Sequence, residues 1–186
     1  MIKIQSITRQ ELELSLKAWY RQAFKRKYAS QSIVRTSYRI LYDVAHSSSM
    51  YFDEEHRNSM FKVNKIEAIK KGKALLGLIE YGYKASTKTL WIHNLASSPN
   101  IVIKKTYKGV GTTLLLHAIK YGIERGAREI CLYSSRDNFY RKFGFVVDCR
   151  DSDRMVLRLT DSKIRHLTKL DKGVKINSKG YHRLGN

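Results

Sequence analysis

Nowhere in the 186-residue sequence do apolar residues run on over the ~20 positions that a membrane-crossing helix needs. The opening residues, Met1-Ile2-Lys3-Ile4-Gln5, also lack the apolar stretch of a secretory signal. Cysteine is scarce. Cys131 and Cys149 stand apart, without CxxC or Cys/His spacing, which argues against a zinc site and a disulfide scaffold. These absences lead us to expect a soluble, cytoplasmic protein with no membrane partner and no metal. Acidic side chains are also few, 16 against 36 Lys and Arg, for a net charge of +20. No internal repeat or low-complexity tract stands out.

What is present is enough for a folded domain. Apolar residues make up 42% of the chain, which excludes simple disorder, and the length suits one domain. The positive charge is not gathered in a tail: residues 1–100 carry 17 basic and 8 acidic side chains, residues 101–186 carry 19 and 8. Such a charge favours polyanionic partners and speeds encounter with them, but specifies no fold or reaction.

Thr8-Arg9-Gln10-Glu11 is a capping box, with Ile7 and Leu12 placed as a hydrophobic staple. The stripe Leu12, Leu16, Trp19, Tyr20, Ala23, Phe24 predicts a helix to about Lys27, and Ile2–Ile7 before it alternates weakly as an opening strand. Val34, Tyr38, Leu41, Tyr42 and Ala45 predict a second helix over 33–45, and 47–58 reads as a loop. From Phe61 the period changes to two, giving a hairpin about Lys70-Lys71-Gly72-Lys73 and a third strand from Thr89 to Ala96. An apolar helix runs from Gly109 to Gly126, a short strand covers Glu129–Tyr133, and a short helix spans Asn138–Phe143. Two final strands, Phe145–Val147 and Met155–Leu159, flank a turn at Asp151-Ser152-Asp153. Residues 161–186 read as a basic, glycine-punctuated extension of a domain spanning 1–160, with Ile164, Leu167 and Leu170 as one weak helical face.

The chemistry-bearing stretch is the strand ending Leu95-Ala96-Ser97, then Lys108-Gly109-Val110-Gly111-Thr112, then the apolar helix. A helix start leaves backbone N–H groups unpaired and partly positive, and glycine lets a phosphate approach them. By itself GxG serves a tight turn equally well, and this is neither a GxGxxG dinucleotide fingerprint nor a triphosphate loop ending Gly-Lys-Ser/Thr.

Taken with Asn138-Phe139-Tyr140-Arg141-Lys142-Phe143-Gly144-Phe145, these segments resemble the GNAT N-acetyltransferase superfamily from about Ile66 to Leu159. The resemblance implies an α/β fold: a mixed, mostly antiparallel sheet flanked by helices, with two splayed central strands. It further implies that Leu95, Ala96 and Ser97 pair with the pantetheine arm of acetyl-CoA, used as cosubstrate. The segment Thr106, Tyr107, Lys108, Gly109, Val110, Gly111 and Thr112 would hold its pyrophosphate. Thr106 stands where the family has Arg or Gln, with Lys104, Lys105 and Lys108 nearby as substitute charge. Asn138 sits near the place of a CoA-contacting asparagine. Tyr140 matches the tyrosine that donates to the departing thiolate; the other reading of Tyr140 is an ordinary core aromatic.

For the base that frees the acceptor amine, His93 on the strand beside the cofactor is the first candidate and Glu80 on the preceding strand the second, with a water chain as the alternative. Cys131, in an apolar strand without a partnered His, reads as packing. The expected reaction is acetyl transfer to a primary amine by direct attack. The acceptor is open between an aminoacyl-tRNA or ribosome-borne amine, favoured by the charge, and a small amine or a protein lysine or N-terminus. The rival class is a non-catalytic nucleic-acid-binding module on the same fold. Oligomeric state is not encoded in any motif.

Overall fold

A computed structural model describes residues 3–24, 64–99, 101, 106–134, 136–174 and 176–178. The expected helix over 33–45, the loop over 47–58, the cluster Lys25-Arg26-Lys27, Lys104 and Lys105 lie outside the described residues.

Strand β1 (Lys3–Ser6) leads into helix α1 (Arg9–Phe24). The capping box forms as expected: the Glu11 amide donates to Thr8 Oγ1 at 3.2 Å and the Thr8 amide to Glu11 Oε2 at 3.1 Å. Ile7 and Leu12 are both buried in one cluster. Next come β2 (Asn64–Lys71), β3 (Ala74–Lys84) and β4 (Thr89–Ser97), a meander whose first turn places Gly72 at a φ of +57°. β5 (Tyr107–Lys108) precedes α2 (Val110–Glu124), followed by β6 (Glu129–Tyr133), α3 (Asp137–Arg141), β7 (Val146–Asp148) and β8 (Asp151–Arg158). The described chain ends with α4 (Asp161–Gly173) and β9 (Asn177–Ser178).

The main sheet has seven strands in the order β1-β2-β3-β4-β6-β8-β7. Neighbours run antiparallel except β4 and β6, which are parallel because α2 carries the chain across between them. α1 covers one face at β2–β4, packing Leu12, Leu16 and Trp19 against Ile66, Ala68, Leu75, Leu78 and Ala96. α2 lies on the other face with Leu114, Leu115, Ala118 and Ile119 in the larger core.

Within that second face Glu67 on β2 takes hydrogen bonds from Tyr81 (Oη to Oε2, 2.5 Å) and His117 of α2 (2.7 Å). Burial alone would raise the Glu67 carboxyl, but the His117 and Tyr81 bonds outweigh it and hold the group below the usual carboxylate range. These bonds tie α2 to β2 and β3.

One expectation changes. The last turn of the sheet is Cys149-Arg150, not Asp151-Ser152-Asp153, which belong to β8. The reason is local: Asp148 accepts from the Arg150 amide at 3.0 Å and pairs with the Arg154 side chain, closing the turn two residues early. The 161–186 extension, as far as it is described, packs on the domain. Thr160 caps α4 by accepting from the Lys163 amide, Leu167 is buried on the larger core, Leu170 packs partly against it, and β9 pairs with β5.

Candidate active site at the splay of two parallel strands

β4 and β6 pair only from Thr89 to Ile92, opposite Glu129 to Leu132. Beyond Ile92, β4 pairs among the described residues only with β3, through Asn94–Glu80, Leu95–Ile79, Ala96–Leu78 and Ser97–Gly77. The register shifts between Glu80 and Tyr81, which face Asn94 and Ile92, so His93 is the extra residue of a β-bulge. A bulge bends and twists its strand. Here it falls where the two parallel strands separate, and the outer edge of Leu95, Ala96 and Ser97 faces the resulting cleft.

Gly109 caps α2 with a φ of +86°, a conformation that suits glycine, and it supplies no side-chain cap. Its carbonyl accepts from both the Thr113 amide (2.8 Å) and the Thr113 hydroxyl (2.9 Å), closing the first turn. The amides of Val110, Gly111 and Thr112 are thus the first-turn donors of an uncapped helix, an arrangement suited to phosphate oxygens. A Cβ placed on Gly111 would lie 3.7 Å from Phe139 Cζ and 3.9 Å from Ser97 Oγ, so strand end, glycine turn and α3 converge at one place.

What seats α2 there is Gly77, a residue that the sequence reading passed over. A Cβ on it would come within 2.6 Å of Val110 Cγ1 and 3.0 Å of both the Ala96 carbonyl oxygen and Leu114 Cδ1. The available signal was a glycine inside the apolar run Leu75-Leu76-Gly77-Leu78-Ile79, which marks close approach by another element.

Tyr140 follows Phe139 on α3, half-buried, with its ring edge-on to Phe139 (5.0 Å) and Phe145 (5.8 Å). Burial pushes its phenol up to about 12, against a smaller opposing effect of Arg136. It therefore keeps its proton at neutral pH. Asn138 is exposed beside it and lines an open recess with Ser134, Arg136, Asp137 and Phe139.

His93 is half-buried, and burial holds its imidazole below the ordinary value, so it is neutral at neutral pH. It stands four residues before Ser97, roughly 13 Å along the strand. Glu80 is buried and accepts from Asn94 Nδ2 at 2.8 Å; Asn94 was not foreseen. Cys131 is buried, and burial pushes its thiol up to about 12, which suits packing better than nucleophilic chemistry. Thr106 and Tyr107 are half-buried and Lys108 is exposed; the backbone of Tyr107 and Lys108 pairs with β9. Among the described residues no group of three His, Cys, Asp or Glu side chains could hold a metal ion, and no helix is long and apolar enough to cross a membrane.

Solved structures share this architecture. The chain is similar to the PaiA N-acetyltransferase of Thermoplasma acidophilum, solved with coenzyme A, at 22% identity over 86% of this chain and 99% of that one, with a TM-score of 0.53. It is similar to a GNAT family acetyltransferase of Brucella melitensis, solved with acetyl-CoA, at 13% identity over 86% and 89%, with a TM-score of 0.51. It is also similar to Ard1 of Thermoplasma volcanium, at 15% identity over 86% and 99%, with a TM-score of 0.52. No curated protein matches it in sequence. Residues 28–145 match the acetyltransferase (GNAT) family, a span that takes in the splayed strand, the glycine turn and the Tyr140 helix, and the chain belongs to that family.

Proposed function

We propose that the protein is an N-acetyltransferase that moves the acetyl group of acetyl-CoA to a primary amine by direct attack, with no covalent enzyme intermediate. The observation that carries the reading is the convergence of Ser97, Gly111 and Phe139, which brings together a strand edge that has left its parallel neighbour, an uncapped helix start and the Tyr140 helix. An extended pantetheine chain carries amides that match the edge of Leu95–Ser97. The amides of Val110, Gly111 and Thr112 suit the pyrophosphate, with Lys108 beside them to supply charge in place of the Arg or Gln that Thr106 replaces.

The reaction then asks two things of the side chains. The acceptor ammonium loses a proton, for which His93, neutral in its buried position, is the base. The amine nitrogen forms a bond to the acetyl carbon as the carbon–sulfur bond breaks, Tyr140 gives its proton to the leaving sulfur, and the second proton shed by the acylated nitrogen restores the phenol, while His93 returns its proton to solvent. The products are an N-acetyl amide and free CoA. In the finer reading the acceptor is RNA-borne, an aminoacyl-tRNA or a ribosome-associated amine, and what favours it is the charge of +20, which repels small cationic amines.

Gly111→Glu tests the cofactor assignment. A Cβ there meets only ordinary van der Waals contacts, so the position has room for a side chain to start, and circular dichroism checks that the variant, which sets a carboxylate in the helix's first turn, is folded. Titration calorimetry should show acetyl-CoA binding abolished or greatly weakened; unchanged affinity in the folded variant removes the turn from the site.

A further inference from the structure

The C-terminal arm makes contact with the domain at three places. Leu167 of α4 is buried in the core that α2 shares. Lys163 lies along Gly144, where a Cβ would fall 3.0 Å from its Cε, in the turn that follows Tyr140. β9 then pairs antiparallel with β5, Tyr107 opposite Ser178 and Lys108 opposite Asn177, directly before Gly109. Tyr107 is held from a second side as well. Lys71, at the end of β2, donates to its hydroxyl at 3.0 Å, with the ammonium 5.5 Å from the ring centroid.

The two residues leading into the glycine turn are therefore fixed by backbone pairing from the C-terminus and by side-chain bonding from the β2–β3 hairpin. A two-residue strand has no other partner among the described residues, so without β9 its backbone would be left to solvent. The amides of residues 110–112 follow immediately, and their aim depends on where β5 is held. A turn that is already ordered pays less conformational entropy when phosphate binds.

We propose that β9, with Lys71, is a clasp that positions the phosphate turn for CoA, so that residues 177–178 set cofactor affinity without touching the reacting atoms. This rests on the reading of residues 109–112 as the pyrophosphate site. By linkage, the cofactor must in return stabilise the β5–β9 pairing.

The test uses the full chain with Asn177→Pro/Ser178→Pro, which removes the amide donors of β9 whichever pair is hydrogen-bonded and changes no charge. Circular dichroism and thermal unfolding establish that it is folded. The expected result is an acetyl-CoA Kd and KM raised about tenfold, the worth of one or two backbone hydrogen bonds, with kcat at saturating acetyl-CoA and the KM for the acceptor unchanged. A general structural defect would lower kcat as well. A second measurement needs no variant: in the unmutated protein, acetyl-CoA should slow hydrogen exchange at the amides of the hydrogen-bonded β5–β9 pair, Tyr107 with Ser178 or Lys108 with Asn177. A folded variant whose Kd stays within twofold, or exchange at those amides unaffected by acetyl-CoA, overturns the clasp while leaving the cofactor site standing. Failure of the unmutated protein to bind acetyl-CoA overturns both, and is recognised before any variant is compared.

Discussion

At the scale of single residues, Tyr140 is a phenol whose burial pushes its pKa up to about 12, well above the ~8.5 of an ordinary thiol. It therefore keeps its proton at neutral pH, the state that the proposed general acid needs. Tyr140→Phe removes one hydroxyl from a ring held by Phe139 and Phe145, so folding should be close to unmutated, with kcat down by roughly 10²–10⁴-fold. Unchanged turnover would make the tyrosine structural. His93 makes a different demand on pH. Burial lowers its pKa, so the neutral, proton-accepting form persists to lower pH than for an ordinary histidine. His93→Ala should lose less than ~10²-fold near neutral pH, and the loss should shrink as pH rises and the amine deprotonates by itself. A pH–rate profile superimposable on the unmutated one takes His93 out of the mechanism. Where both residues lie was legible in the sequence, Tyr140 in the short helix within Phe-Tyr-Arg-Lys-Phe-Gly-Phe and His93 on its strand. That His93 occupies a bulge was not legible, because a bulge is a relation between two strands and leaves no mark on one of them.

At the scale of elements, the parts that depend on local pattern were readable. The capping box set the start of α1, alternation set β2 to β4, and glycine punctuation set both ends of α2. What escaped was tertiary. The turn at Cys149-Arg150 is decided by the Asp148 carboxylate, and the place of β9 is decided by a partner some 70 residues earlier in the chain, Tyr107–Lys108. Gly77 belongs to the same class, because its reason for being glycine is α2, packed on it from far along the chain. Gly77→Ala would drive a methyl group into Val110 and against the Ala96 carbonyl, and the carbonyl belongs to a paired strand that cannot easily give way. The expected cost is ~1–3 kcal/mol of unfolding free energy, measured by urea denaturation. The helix start should also move off the sheet, weakening acetyl-CoA binding beyond what lost stability explains. A variant as stable as the parent and binding equally well would mean that α2 is not seated by this contact.

At the scale of the whole molecule, the charge of +20 is the one property that sequence states fully, since it depends on no fold. The structure adds what some of that charge is already doing. Lys70 is paired with Glu11 at 2.7 Å and Lys71 is bound to Tyr107, so part of the hairpin cluster serves the fold itself. A field of this sign steers polyanions regardless of their sequence. The protein should therefore bind single-stranded RNA with log K falling linearly in log salt, at a slope near −0.7 for each phosphate contacted. Charge reversal at Lys25-Arg26-Lys27, at Lys70-Lys71-Lys73 and at Lys104-Lys105-Lys108, one cluster at a time, should flatten that slope where the RNA lies. The acceptor itself is read by incubating the protein with labelled acetyl-CoA and a whole-cell extract, then separating RNA, protein and small molecules. Label in the RNA fraction, lost when the contacting cluster is reversed although calorimetry shows acetyl-CoA still bound, is the expected outcome. Negligible RNA affinity at physiological salt, or acceptor turnover that survives reversal of all three clusters, would leave an RNA-borne amine without support and direct the search to protein amines.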